Sequence, residues 1–352
     1  MSKFFTKSLS GLDPYTPGEQ PQDQPYIKLN TNESPFPASP RAVAAITGEE
    51  VEKLRLYSDP ACKKLIEAIA ARYGVQPAQV TVGNGSDESL AFALRAFCDS
   101  DTPLAYSDIT YGCYRVWCGL MNLPSKILPL REDFSVDVEQ YRGLNATVML
   151  TNPNAPTGLA LSLPQVEEIL RANPNNVVIV DEAYVDFGAE SCVQLLPKYD
   201  NLLVVQTCSK SRNLAGARLG YALGSPELIA DLNRIKFSFN PYNVNRLTTL
   251  AGIAAMEDET YFQQCTAQIV ENRQWTAEQL RELGFTLTES KSNFLFAESS
   301  RIEGGELYRA LKARGILVRH FDAPRISNRL RITIGSREQM EALVRALREL
   351  NA

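Results

Sequence analysis

The chain predicts an α/β protein: a large domain with a mainly parallel sheet flanked by helices, and a smaller α+β domain. Three observations carry this. The short apolar runs 148–150, 177–180 and 202–205 are continuous rather than alternating, as strands buried on both faces are. Helical patterns alternate with strands from about residue 60, which implies parallel strands joined through helices. After Asn243 the pattern changes to long helices followed by several short strands.

Residues 1–40 are rich in Pro, Asn and Gln and read as an extended arm. Residues 63–73 read as a helix with Leu65, Ile66, Ile69 and Ala70 on one face. Residues 80–82 read as a strand that enters Gly83-Asn84-Gly85-Ser86-Asp87-Glu88, and 89–97 as the helix that follows. Each of the three apolar strands then ends in a polar motif. Ligands in such sheets sit beyond the carboxyl ends of the strands, where these motifs lie. In the second region 248–256 and 261–283 read as helices, 293–297, 316–318 and 329–334 as strands, and 337–350 as a closing helix. The expected division is a large domain over 30–245 and a smaller one built from 1–29 and 246–352. No internal repeat is visible.

Composition narrows the class. A length of 352 residues suits one large or two ordinary domains, and 44% hydrophobic with 22% charged residues is the balance of a soluble globular protein. A net charge of -5 gives no electrostatic case for nucleic acid. No apolar run approaches a membrane span, and the first residues lack a signal-peptide core, so no membrane partner and a cytoplasmic location are expected. Seven cysteines without a C-x-x-C pair read as reduced core thiols. The single histidine, His320, argues against a Ser-His-Asp triad and against a multi-histidine metal site. No metal is expected, and His320 reads as structural.

The chemistry gathers at Thr207-Cys208-Ser209-Lys210-Ser211-Arg212-Asn213-Leu214-Ala215-Gly216-Ala217-Arg218-Leu219-Gly220. Lys210 follows a buried strand and is placed to form an imine with an aldehyde. The Ser209 hydroxyl and Arg218 could hold a phosphate. An aldehyde bearing a phosphate is pyridoxal 5'-phosphate. Most lysines are solvated loop residues, but two upstream motifs displace that reading here. Val180-Asp181-Glu182-Ala183-Tyr184 puts Asp181 at a strand end, where a carboxylate could pair with the pyridine nitrogen and make the ring an electron sink. A strand-end Asp is otherwise a helix cap. Tyr184 could donate to the ring's phenolic oxygen. Asn152-Pro153-Asn154-Ala155-Pro156-Thr157-Gly158 also follows a strand and offers an Asn amide to the same oxygen. Between strand and helix, Gly85-Ser86-Asp87 offers free amides to an anion, so Ser86 and Asp87 join Ser209 and Arg218 as the phosphate site.

With N-P-N-A-P-T-G, D-E-A-Y and S-K-x-x-x-L-A-G-x-R-x-G in that order, the chain resembles the fold-type I, class I/II aminotransferases over nearly its whole length. A narrower likeness rests on Leu29-Asn30-Thr31-Asn32-Glu33-Ser34-Pro35, Tyr57-Ser58-Asp59-Pro60, G-N-G-S-D-E at 83–88 and Leu330-Arg331-Ile332-Thr333-Ile334-Gly335. It points to the branch acting on a phosphorylated amino alcohol. The resemblance implies Lys210 as the imine-forming base, Asp181 under the pyridinium, Tyr184 at the phenolic oxygen and Tyr111 stacked on the ring. It implies that Tyr57 reaches the cofactor phosphate of a partner subunit in a homodimer with shared sites. It also implies that Arg319 and Arg331 grip the substrate phosphate with help from Tyr15 and Asn84. An arginine fork suits phosphate and carboxylate alike.

The implied activity is transamination of histidinol phosphate with 2-oxoglutarate, giving imidazole acetol phosphate and glutamate, within histidine biosynthesis. The alternatives are an aromatic or broad-specificity amino acid aminotransferase and a threonine-phosphate decarboxylase. A transcription regulator with an aminotransferase-like domain is a third class, but it carries a DNA-binding region ahead of motifs that here begin by residue 30. Two departures stand out. Ala155 occupies the place of the family's usual Asn, so either Asn154 takes over that contact or the contact is lost. Ser211 and Arg212 replace a small and an aromatic residue after the lysine, and Arg212 is expected either to face solvent or to add charge near the phosphate.

Overall fold

The computed structural model describes residues 2–351. Its large sheet has seven strands in the order Val80–Asn84, Leu219–Gly224, Leu202–Thr207, Val178–Asp181, Thr147–Thr151, Leu104–Ser107, Ser125–Leu128. Every neighbouring pair is parallel except the two that involve Leu219–Gly224, which runs antiparallel to both its neighbours. That strand follows the lysine-bearing loop directly, and a connection without a crossover helix can only return the chain antiparallel. The three strands expected from their apolar runs lie in the sheet's interior, and Val178, Ile179, Leu202 and Leu203 are fully buried. Helices pack on both faces, with Leu65, Ile69 and Val166 in one core layer and Leu90, Leu94 and Ile229 in the other.

The helix Lys63–Tyr73 matches its periodicity and ends on Gly74 in the left-handed region. The next helix, Ser86–Phe97, starts three residues ahead of its apolar pattern. Gly85 makes this possible with φ at +85°, turning the chain so that the amides of the first turn face the strand ends. Gly220 serves the same junction from the neighbouring strand, because a Cβ there would lie 2.2 Å from the Ser86 amide nitrogen.

The smaller unit is a four-stranded antiparallel sheet in the order Arg319–His320, Arg329–Thr333, Phe294–Ser299, Phe285–Leu287. Helices Glu259–Glu282, Gly304–Ala313 and Arg337–Asn351 supply its core through Ile269, Leu307, Leu343 and Leu347. The arm joins it: Ile27–Lys28 pairs in parallel with Ile316–Leu317, and Leu29 is buried in the same core. The expected strand 316–318 ends at Leu317, paired with the arm, and a separate strand Arg319–His320 follows it with a different partner. Helix Arg246–Glu257, expected with the smaller unit, instead buries Ala251, Ala255 and Met256 in the large-sheet core. Asp258 starts the next helix, its side chain accepting from the Tyr261 amide.

All seven cysteines are buried free thiols. His320 lies 2.7 Å from the Ser327 carbonyl through Nε2 and stacks on Tyr308, a structural role. Among the described residues no helix is long and apolar enough to cross a membrane.

Candidate active site

A cavity of about 360 Å³ opens beyond the carboxyl ends of the central strands. Three separate stretches of chain wall it. The large sheet contributes Ser86, Asp87, Asp181, Ser209, Lys210 and Arg218; the smaller unit contributes Arg319 and Arg331; the arm contributes Tyr15 and residues 30–33.

Lys210 is on the loop after strand Leu202–Thr207 and donates from Nζ to the Thr31 carbonyl at 3.2 Å. Burial, helped by the nearby Arg331 cation, lowers its amine to a pKa of about 8. Asp181 also lines the cavity, 3% exposed, and accepts from the Tyr114 hydroxyl at 2.7 Å and the Ala183 amide at 3.2 Å. Burial raises its carboxyl to about 6 against those hydrogen bonds. A cation placed beside it would reverse that shift. Tyr184 accepts from the Asn32 amide at 3.0 Å, which leaves the phenol's own proton free to donate. Tyr111 lines the cavity and donates to Asp87 at 3.1 Å, while Tyr15 meets it edge-on with centroids 6.0 Å apart.

Charge and orphaned donors mark two ends of the cavity that could take an anion. At the first, the helix starting at Ser86 has no side-chain cap, and Arg218 lies over Gly85 so closely that a Cβ there would be 2.6 Å from Nη2. Asp87 holds Arg218 at 3.2 Å, and Ser209 accepts from Thr207 at 2.9 Å. Free helix-terminal amides, a hydroxyl and a guanidinium could together hold a phosphate. At the second, Arg319 and Arg331 stand directly opposite each other on paired strands. Like charges so placed repel. Arg319 donates to the carbonyls of Thr16 and Pro17, and Arg331 to that of Asn30, yet Nε of Arg331 is buried without an acceptor. An anion between them would relieve the repulsion and satisfy that donor.

Ser86, Asp87, Tyr111, Asp181, Tyr184, Ser209, Lys210, Arg218, Tyr15, Arg319 and Arg331 are thus gathered around one cavity. Three expectations change. Asn154 does not take over the missing contact: its amide donates to the Ile109 carbonyl and Thr157, its oxygen accepts from Thr110, and Ala155 is the residue on the cavity wall. Asn84 stays outside the cavity lining, at the end of its strand, with its backbone N–H held by Glu88. Tyr57, expected to serve a partner subunit rather than this cavity, is 81% exposed and stacked on Tyr242 at 4.4 Å. Arg212 neither faces solvent nor adds to the phosphate cradle, because it is buried against the helix pair on either side of Asp258. Two partners escaped the sequence reading. Tyr114 lies in an apolar helix without a motif. Asn32 lies inside a motif, but only its left-handed φ of 56° and full burial set it apart.

A lysine of lowered pKa and a buried acid on one cavity wall, with groups at each end that could take an anion, suit an enzyme that handles amino groups through a phosphorylated aldehyde. Residues 24–347 match the family model for class I and II aminotransferases, and the chain belongs to that family. It is 51% identical to a histidinol-phosphate aminotransferase of Marinomonas sp. (strain MWYL1), over 99% of this chain and 100% of that one. It is 47% identical to one of Brachyspira hyodysenteriae, over 99% of each. Among solved structures it is similar to the histidinol-phosphate aminotransferase of Sinorhizobium meliloti in complex with pyridoxal-5'-phosphate, with TM-score 0.87, 24% identity, and 100% and 98% of the two chains covered.

Proposed function

We propose that this chain is a pyridoxal 5'-phosphate-dependent transaminase that interconverts histidinol phosphate plus 2-oxoglutarate with imidazole acetol phosphate plus glutamate, serving histidine biosynthesis. The observation that carries the reading is the pair Arg319 and Arg331, facing each other across paired strands with one buried N–H unsatisfied, in the same cavity as Lys210. One fork can take the phosphate of the first substrate and a carboxylate of the second. Full-length relatives named histidinol-phosphate aminotransferase at 46–51% identity support it.

The residues present fit the cofactor. Ser86 and Asp87 amides, the Ser209 hydroxyl and Arg218 would hold its phosphate; Asp181 would face its ring nitrogen; Tyr111 would cover the ring; Lys210 would meet its aldehyde. When bound, it supplies an aldehyde carbon for amine exchange and a protonated ring that accepts an electron pair. Lys210 Nζ, neutral above a pH of about 8, takes the proton from the substrate's amine-bearing carbon and returns it, acting as general base and then acid. Tyr184 donates its free phenol proton toward the cofactor's phenolic oxygen, a role that falls to it because Ala155 offers no amide.

The active form is a homodimer in this reading. Leu54, Leu56, Tyr57, Phe239 and Tyr242 are large exposed apolar side chains, and Tyr57 reaches the partner's cofactor phosphate from that surface. A cytoplasmic location accords with the buried free thiols.

The test is a single-turnover assay on the cofactor-loaded protein without keto acid, using histidinol phosphate, phenylalanine and threonine phosphate in turn. Conversion to the aminated cofactor far faster with histidinol phosphate supports the assignment. Preference for phenylalanine would make it an aromatic aminotransferase, and carbon dioxide from threonine phosphate a decarboxylase.

A further inference from the structure

We propose that Arg212 is a positioning residue that ties the Lys210 loop to the joint between the two units. It is 5% exposed. Its Nη1 donates to the Ala255 carbonyl at 2.9 Å, its Nη2 lies 3.4 Å from the Glu259 carboxylate, and its guanidinium sits 3.7 Å over the Phe262 ring. Ala255 belongs to the helix rooted in the large-sheet core, whereas Glu259 and Phe262 begin the helix rooted in the smaller core. One side chain therefore touches both sides of Asp258.

The loop it comes from is held at successive residues. Lys210 donates to Thr31 on the arm, and the Ser211 hydroxyl donates to Asp186, two residues after Tyr184. Asn213 then turns the chain with φ at +58°. Glu259 is shared with Arg72 at 2.9 Å, so the anchor for Arg212 is itself fixed. The smaller unit carries the two arginines proposed to bind substrate anions. Arg212 is held from both sides of Asp258, and through two peptide units that clamp sets where Lys210 Nζ points. A stray arginine in a core needs only to be satisfied; this one is satisfied by two elements that belong to different cores.

The catalytic role of Lys210 rests on the function proposed above, so the test has one arm that does not. In cofactor-free protein, the pH dependence of Lys210 acylation is followed by peptide mass spectrometry for wild type, Arg212→Met and Arg212→Lys. The midpoint rises toward that of an ordinary lysine in Arg212→Met and less in Arg212→Lys. In the holoenzyme, single turnover of a donor deuterated at its amine-bearing carbon is compared with the protium form. A displaced base slows Arg212→Met on the order of tenfold to a hundredfold and enlarges the isotope effect, because proton transfer becomes limiting. If Arg212→Met does not fold, Glu259→Gln carries the same test with smaller shifts in the same directions. A variant that only melts earlier, with midpoint, isotope effect and rate per loaded molecule unchanged, overturns the proposal. If wild type turns over no amino donor, the functional reading fails, while the acylation midpoints still decide whether Arg212 holds the loop.

Discussion

Replacing Asp181 with asparagine should stabilise the cofactor-free protein at neutral pH while removing most of its turnover. Burial raises this carboxyl from 3.8 to about 6, with Tyr114 and Ala183 already opposing the shift. Two pKa units correspond to about 3 kcal/mol. The folded state holds the proton more tightly than the unfolded chain. The cost of the charge is therefore absent below about pH 3.8, grows through the window up to about 6, and is complete above it. Wild type accordingly loses stability as pH rises through that window, and Asp181→Asn, which has no charge to bury, does not. Urea denaturation of both proteins at pH 4 and pH 8 should show the variant's relative stability growing by about 2–3 kcal/mol, with equal slopes against urea. Loading the cofactor should abolish the difference in wild type, because a ring nitrogen cation beside Asp181 pulls its pKa back down. In the loaded variant, turnover should fall on the order of a hundredfold or more, as when a preorganised electrostatic partner is removed. A stability gap that is the same at both pH values would refute the argument, since it would mean that Asp181 is not the buried, uncompensated acid described.

Other side chains make separate predictions. Arg331→Ala should weaken both the phosphorylated donor and 2-oxoglutarate by about 2–5 kcal/mol, as truncation of a buried charged partner does, with cofactor affinity unchanged by equilibrium dialysis. Arg319→Ala should act in the same direction but less, because Arg319 is more open and already spends two donors on the arm carbonyls. Gly85→Ala places a methyl 2.6 Å from Arg218 in a left-handed conformation, so it should cost about 1–2 kcal/mol and loosen the cofactor roughly tenfold in the same dialysis assay. Ala155→Asn adds an amide donor at the cavity wall and should lower the pH at which the bound cofactor's absorption band titrates; an unmoved band would mean that this wall does not face the phenolic oxygen.

How much was legible in the sequence follows from where the information is local. Strands 147–151, 178–181 and 202–207 announced themselves because a central parallel strand must be apolar on both faces, and each motif followed because a strand's carboxyl end is where its loop meets the cavity. Strand Leu219–Gly224 was silent. Its glycines weaken any strand pattern, yet Gly220 is there because the helix start at Ser86 passes too close for a side chain. Local spacing likewise could not see Asn154 turn inward, since what claims its amide is the Ile109 carbonyl and the Thr157 hydroxyl, and Thr110 claims its oxygen. The arginines differ for the same reason. Arg331 was recognisable from its strand, but its meaning as an anion site comes from register, which sets Arg319 opposite it. Arg212 was unreadable because the two helices that hold it lie far along the chain from it. The sequence motifs name the groups that touch a ligand; the contacts that aim those groups belong to the packing between units, and it is there that substitutions outside any motif should alter the rate.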